Sequence, residues 1–395
     1  MPMAQKTIPT YSADDPFAIL ADLEGEERLI ASTVRDWVRR RFLPLIADAW
    51  RAGALPDSLG GELGELGLLG MHLQGYGCAG ASATAYGLSC LELEAGDSGL
   101  RSFVSVQGSL AMFAIHAFGS EEQRERWLPA MAAGEVIGCF GLTEPDAGSD
   151  PAAMRTTARR DGDGWVLNGA KMWITNGSRA GVAVVWAKTD EGVRGFLVPA
   201  GTDGFTTVDV KDKLSLVAST TSELVLEDCR LGADAQLPEA SGLRAPLSCL
   251  NEARYGIVWG AVGAARACLE AAIDYTSTRV AFGTPIATRQ LVQQELVEMH
   301  VAVNNGLLLA SRIGRLKDEG RVAPEHISYG KFNNVRMATD VARRARALLG
   351  ANGITLEYPV MRHLVNLESV LTYEGTHQVH TLVLGKALTG HPAFE

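Results

Sequence analysis

Apolar positions along the chain change their period twice. From Asp22 to about Gly134 they recur at helical spacing: Leu29, Val34, Trp37 and Val38 line up before Pro44, and Leu63, Leu66, Leu68 and Leu69 follow the break at Gly60 and Gly61. Around Ile137 the period shortens. Alternating, β-branched and aromatic segments then occupy residues 164–168, 171–175, 182–187, 193–198, 205–210 and 220–226. The turn signals Asp161-Gly162-Asp163-Gly164 and Asn176-Gly177 separate some of them, so the middle of the chain reads as a compact β-domain, a sandwich or a barrel. From about Ala245 the helical period returns. Val292, Leu296, Met299, Val303 and Leu307 form the apolar stripe of a long helix that stops near Gly320. Helices over residues 251–276, 287–319 and 324–349 predict an antiparallel bundle, and small residues between Gly260 and Ala267 let a neighbour approach the first of them closely. The expected class is α+β in three parts: a helical domain over residues 1–135, a β-domain over 136–244 and a helical bundle over 245–395.

Composition narrows the function more than the fold. A chain of 395 residues, 47% hydrophobic and 21% charged, has the makeup of an ordinary globular protein able to bury a large core. Its net charge of -10 argues against nucleic acid and against anionic membrane surfaces as partners. The stretch holding Asp14, Asp15, Asp22, Glu24, Glu26 and Glu27 is too acidic for a transit peptide and carries no apolar run of signal or membrane-spanning length, so a cytoplasmic protein is expected. The cysteines at 78, 90, 139, 229, 249 and 268 include no Cys-x-x-Cys pair and suit reduced core thiols.

Candidate chemistry concentrates near the end of the chain. Glu374 stands beside Gly375 just ahead of the apolar run Leu382, Val383 and Leu384, a place for a general base on the approach to a helix, or simply for a capped helix with solvated histidines. Glu374, His377 and His380 recur every three residues, which raises a metal site. A di-iron bundle would need a second Glu-x-x-His on another helix, none is found, and Gly375 interrupts the face; no metal is assigned. Gly75, Gly77 and Gly80, with Asp97 further on, imitate a dinucleotide fingerprint without the buried strand that must precede it, so they read as a tight loop.

Other segments admit two readings on their residues alone. Phe140 to Asp150 is a plain β-turn, or a loop whose free N–H groups and hydroxyls bind a heteroaromatic ring or a phosphate. Trp173 and Thr175, two apart in a strand, share a face with Ile174 opposite; the Trp is a core residue or the wall of a flat ring. Arg279, Phe282, Gly283 and Gln290 make a turn between helices, or offer a fork of donors to a pyrophosphate. Glu94, Asp97, Ser98, Gly99, Arg101, Ser102 and Ser105 are a solvated helix end, or a site where the Arg fork meets a carboxylate.

The segment Thr372 to His380 resembles the catalytic loop of the acyl-CoA dehydrogenases, and its Tyr-Glu-Gly-Thr-His form resembles the branch of that family acting on glutaryl-CoA. The helical, β, helical-bundle order matches the family fold over essentially the whole chain. The resemblance implies FAD as cofactor, with Glu374 removing the α-proton from a dry pocket while the flavin takes hydride from the β-carbon. It implies that the thioester oxygen is held by the Glu374 N–H and a ribityl hydroxyl. For FAD it implies Phe140, Leu142, Thr143, Gly148, Ser149, Trp173, Ile174, Thr175, Thr376 and Gln378, together with Arg279, Phe282, Gln290 and the Leu349, Gly350, Gly353 loop, some of these reaching a neighbouring subunit's cofactor.

For the acyl-CoA it implies Ser149, Asn251, Arg254, Tyr373 and Gly375, with Glu94, Arg101, Ser102 and Ser105 around the acyl end and Arg101 on a distal carboxylate. The expected activity is oxidative decarboxylation of glutaryl-CoA to crotonyl-CoA and CO2 by a homotetramer that passes electrons to an electron-transfer flavoprotein. Ala351, Glu252, Val217 and Gln378 depart from the branch pattern. The alternatives are a dehydrogenase for another dicarboxylyl or branched acyl-CoA, and a non-catalytic scaffold that binds acyl-CoA or flavin.

Overall fold

The computed structural model describes residues 12–13 and 15–393; Asp14 of the acidic stretch lies outside them. Helices α1 (Gly25–Trp37), α2 (Ile46–Ala52), α3 (Leu59–Glu65), α4 (Ala83–Gly96), α5 (Ser98–Ser105), α6 (Phe113–Phe118) and α7 (Glu121–Ala132) come first. Gly75, Gly77 and Gly80 all take positive φ in the loop before α4, as a tight turn requires. One buried residue makes the corner between α4 and α5. Asp97 ends α4 in extended conformation and caps α5 by accepting from the Gly99 N–H at 2.6 Å.

Strands β1 (Gly138–Gly141), β2 (Thr157–Asp161), β3 (Gly164–Thr175), β4 (Val182–Thr189), β5 (Gly192–Pro199), β6 (Phe205–Asp209) and β7 (Thr221–Leu231) follow. They form a 7-stranded sheet in the order β1-β4-β2-β3-β7-β6, with β5 on β4, around a separate core that includes Trp165, Leu167, Phe196 and Leu224. The predicted turn at Gly162 and Asp163 joins β2 to β3, with Asp161 paired to Gly164. Asn176-Gly177 does not close a hairpin. Asn176 takes a φ of 64° and opens a short 3-10 turn, and the edge of β3 is occupied by β7 instead. The alternating pattern missed β2, since Thr157-Ala158-Arg159-Arg160-Asp161 buries only Ala158 fully.

The last part holds α8 (Arg244–Thr278), the hairpin strands β8 (Val280–Ala281) and β9 (Thr284–Pro285), then α9 (Gln290–Asp318), α10 (Pro324–Leu348), α11 (Pro359–Thr372) and α12 (His377–Thr389). Helix α8 begins ahead of the expected residue 251 because Pro246 falls in its first turn, where a missing N–H costs nothing. Helix α9 begins after the expected residue 287 because the hairpin and a 3-10 turn occupy residues up to Thr288. By length and composition α8 could cross a membrane, yet 72% of its most apolar window is buried inside the protein, as suits the central helix of the core.

The small residues of α8 are there for contact with α4. A Cβ built on Gly263 would lie 1.9 Å from the Leu91 carbonyl oxygen, a backbone atom that cannot swing aside. Gly263→Ala is therefore expected to lower unfolding free energy by about 3 kcal/mol, read from the denaturant midpoint. Gly385→Ala on α12, where nothing lies within 4 Å, should instead be neutral or add about 0.5–1 kcal/mol.

Candidate active site

The helix break at Asp97 brings Glu94 and Arg101 together. Both side chains are fully buried, and the Arg101 Nε donates to Glu94 Oε2 at 2.6 Å. Asp97 is held in turn by Arg362 at 2.5 Å and Asn366 at 2.9 Å, so α11 fixes the corner that aims both side chains. Gly260 of α8 gives the pair its space: an added Cβ would lie 1.9 Å from Glu94 Oε2 and 3.2 Å from Arg101 Nε. The Arg101 Nη2 donates to the Tyr373 hydroxyl, which also lies 3.3 Å from Ser102 Oγ. Among the described residues Arg101 Nη1, Glu94 Oε1, Ser98 Oγ and Ser105 Oγ have no partner. A buried ion pair is expensive to desolvate, so open donors and acceptors in this cluster are a demand for a polar ligand.

Tyr373 to Thr376 link α11 to α12, and Thr376 caps α12 by accepting from the Val379 N–H at 3.2 Å. Glu374 takes a φ of 52°, a conformation a non-glycine residue adopts only under external constraint. The constraint is cationic. Lys331 of α10 donates to the carbonyl oxygen of Tyr373 and, at 2.6 Å, to that of Gly375, while Arg254 of α8 donates from Nε to that of Glu374 at 2.6 Å. With its carbonyls turned to the cations, the loop leaves the Glu374 N–H without an acceptor among the described residues. Arg254 also reaches Asn251 Oδ1 at 3.3 Å.

Electrostatics follow from burial. Desolvation raises the Glu374 carboxyl above its usual range against the opposing pull of Arg101, Lys331 and Arg254. Desolvation also pushes Lys331 down to about 7 and His380 down to about 3, so His380 stays neutral. Arg101, Arg254 and Lys331 set against Glu94 and Glu374 leave one positive charge in excess when all are ionised. Glu374 lies off α12 while His377 stacks on Phe332 at 4.0 Å, so the Glu, His, His triplet shares no helical face.

The loop from Phe140 to Asp150 is anchored from below. The Glu144 carboxylate accepts from the N–H groups of Arg155 at 2.5 Å and Thr156 at 3.0 Å and from the Lys171 ammonium at 2.7 Å. Lys171 spends a second hydrogen bond on the Leu142 carbonyl at 3.2 Å. Gly148 and Ser149 stay exposed, with N–H groups that meet no acceptor among the described residues. Phe140, Leu142 and Ile174 are core residues, so they present backbone rather than side chain to any ligand; Thr143 and Thr175 are half-buried.

Trp173 corrects the alternation expected of its strand. It sits at a bulge with φ 64°, skipped by the ladder between Lys171 and Ile174, and is 58% exposed, so it is no β-core residue. Thr376 and Gln378 line a cavity of about 580 Å³ with Arg336, Arg343 and His377. Neither arginine has an ion-pair partner among the described residues, and the α12 N-terminus adds a partial positive charge. An exposed aromatic wall, open N–H groups and unpaired guanidinium groups suit a flat heteroaromatic ring carrying a pyrophosphate.

Arg279, Phe282 and Gln290 lie on or beside the exposed β8–β9 hairpin, far in sequence from the Tyr373 to Thr376 loop. The Leu349 side chain is in the core, and Gly353 is required by its own helix end, where a Cβ would meet the Arg346 carbonyl at 2.4 Å. The left-handed position of this loop is Gly350, with φ 58°, and Ala351 takes no positive φ, so its departure from glycine carries no backbone strain. Glu252, the other unexpected charge, is neutralised by Lys317 at 2.7 Å.

Sequence reading missed Lys331, Arg362 and Asn366; it marked Gly260 as a point of close helix approach and Asp97 as part of a polar cluster without foreseeing their hold on Glu94 and Arg101. Lys331 left a trace: Ile327, Lys331, Asn334, Val335 and Ala338 fall on one buried stripe, and a lysine in an apolar stripe is a residue with a task. Gly260→Ala should displace Glu94 and Arg101 and lower the preference for an ω-carboxylated acyl-CoA over an uncharged one by about tenfold, measured as a ratio of kcat/KM values.

The chain matches three family models in order: acyl-CoA dehydrogenase N-terminal domain over residues 24–135, middle domain over 139–229 and C-terminal domain over 240–389. It is 35% identical over 370 residues to the human mitochondrial short-chain specific acyl-CoA dehydrogenase, covering 92% of this chain and 90% of the relative. The crystal structure of glutaryl-CoA dehydrogenase from Mycobacterium smegmatis superimposes with a TM-score of 0.96 at 64% identity, covering 98% of this chain and 100% of that one. A glutaryl-CoA dehydrogenase from the same organism in complex with FADH2 superimposes with a TM-score of 0.95 at 60% identity over the same shares.

Proposed function

The chain belongs to the acyl-CoA dehydrogenase family, an FAD-dependent enzyme by that membership, and on that premise we propose that it oxidises glutaryl-CoA and releases crotonyl-CoA and CO2. The observation that carries the substrate is Arg101: fully buried, with Nη1 open among the described residues. A distal carboxylate is the group that fills that donor.

Glu374 takes the α-proton, and its burial makes it a stronger base than a solvated carboxylate. Its N–H donates to the thioester oxygen, where charge develops as the α-carbon gives up its proton. FAD, when bound, supplies the acceptor for the hydride that leaves the β-carbon. The Phe140 to Ser149 loop, Trp173, Ile174, Thr175, Thr376 and Gln378 would hold it, with Arg279, Phe282, Gln290 and the Leu349, Gly350, Gly353 loop reaching across a subunit boundary. Arg101 and Tyr373 hold the distal carboxylate, with Glu94, Ser102 and Ser105 around it; Ser149, Asn251 and Arg254 serve the CoA end and Gly375 the thioester. Loss of CO2 from the unsaturated product leaves a dienolate, and the protonated Glu374 returns a proton to it, which completes crotonyl-CoA.

The oligomer is a homotetramer in this proposal, supported by the 97% exposed Phe282 and the uncovered apolar positions Leu291, Val297 and Val301 of α9. Electrons pass to an electron-transfer flavoprotein, in the cytoplasm. A substrate panel tests the proposal. Glutaryl-CoA is expected to exceed butyryl-CoA in kcat/KM by about a hundredfold or more, because the uncharged chain leaves the buried Arg101 Nη1 without a partner. A higher kcat/KM for a branched or other dicarboxylyl thioester would overturn the substrate. Colourless protein that takes up no FAD would overturn the enzyme in favour of a scaffold.

A further inference from the structure

We infer that Lys331 is the positioning residue of the catalytic base: its ammonium bridges the carbonyl groups on either side of Glu374 and holds that residue in its left-handed turn. The inference rests on Glu374 being the base. Lys331 is buried on α10, and its donors go to Tyr373 and Gly375, which flank Glu374 in the chain. Arg254 takes the carbonyl in between. Three successive carbonyls are thus drawn to two cations across the residue whose φ is 52°.

The ammonium does more than anchor. Two carbonyls could be held by a neutral amide, which buries without the desolvation cost that brings Lys331 down to about 7. A charge kept at that cost acts on its neighbours. Those facing it are Glu374 in the loop, Arg254 from α8, Arg101 from α5, and His377 and His380 from α12. Of these only Glu374 is a carboxylate, and Lys331 opposes the upward pull of burial on it. Lys331 therefore sets both where the base points and how readily it sheds its proton. Losing the cation raises the Glu374 pKa, so the carboxylate form is lost at a higher pH as the solution is acidified.

The test is anaerobic flavin bleaching by butyryl-CoA, which carries no distal carboxylate, followed across about pH 5.5–9 with holoenzyme normalised to bound flavin. Lys331→Met is expected to slow bleaching about a hundredfold, by loss of alignment, and to move the acidic limb up by about one pH unit. Lys331→Gln keeps donors without charge; it should recover part of the rate and show the same moved limb. A limb that stays in place in both variants, whatever the rate, reduces Lys331 to a structural residue and overturns the inference. Glu374→Gln runs alongside. Bleaching retained in that variant overturns the base assignment and this inference with it, whereas an inactive Glu374→Gln beside an unmoved Lys331→Met limb overturns this inference alone.

Discussion

Replacement of Glu374 by glutamine is expected to leave FAD bound and to slow turnover by about 10⁴-fold. The loop is held through its backbone: Lys331 and Arg254 bind the carbonyl groups of Tyr373, Glu374 and Gly375, so an isosteric amide at 374 disturbs no contact that fixes the turn. What is lost is the carboxylate proposed to take a proton beside the open Glu374 N–H. Glu374 Oε2 has no partner among the described residues, so the amide leaves no stranded donor opposite and the variant should be as stable as the parent. The parent should lose activity as pH falls through the raised pKa of Glu374, the carboxylate being the working form, and the variant should show no such limb. Flavin content and rapid anaerobic mixing check both points; turnover within tenfold of the parent would refute the base.

Arg101→Ala carries the second large effect, and its diagnostic is a ratio. With a distal carboxylate left unpaired in a dry pocket, kcat/KM for glutaryl-CoA should fall about 10³-fold. Butyryl-CoA makes no such contact, so its kcat/KM should fall only about tenfold, through the loosened Tyr373. The substitution also strands the buried Glu94 carboxylate, a loss of about 3–5 kcal/mol if that group stays ionised. Pairing it with Glu94→Gln removes the stranded charge and keeps the comparison clean. An equal fall for both thioesters would assign Arg101 to the fold rather than to the substrate.

The three-part architecture was legible because each part has one hydrophobic period, and the proposed catalytic loop could be singled out because Tyr373, Glu374, Gly375 and Thr376 are contiguous. Legibility ended where structure depends on distant partners. Arg254 meets Glu374 from 120 residues away and Lys331 meets Gly375 from 44, separations that leave no local pattern. Strict alternation failed at Trp173, since a bulge adds residues to one strand and turns the indole to the surface. It failed again at β2, whose polar face looks like a loop. Glu94 and Arg101 read on their residues alone as a solvated helix end or a carboxylate site, because charge in sequence says nothing of burial; the helix break at Asp97 and the gap at Gly260 put both inside. At Gly353 the structure adds a local reason for glycine, since a Cβ there would meet the Arg346 carbonyl at the end of its own helix.

The most direct measurement is to mix the FAD-loaded protein anaerobically with glutaryl-CoA, follow flavin bleaching and assay the quenched solution for crotonyl-CoA and CO2. The proposal predicts bleaching with both products in equal amounts. Bleaching that yields the unsaturated dicarboxylyl thioester without CO2 would contradict the decarboxylation, and bleaching only with some other acyl-CoA would contradict the substrate.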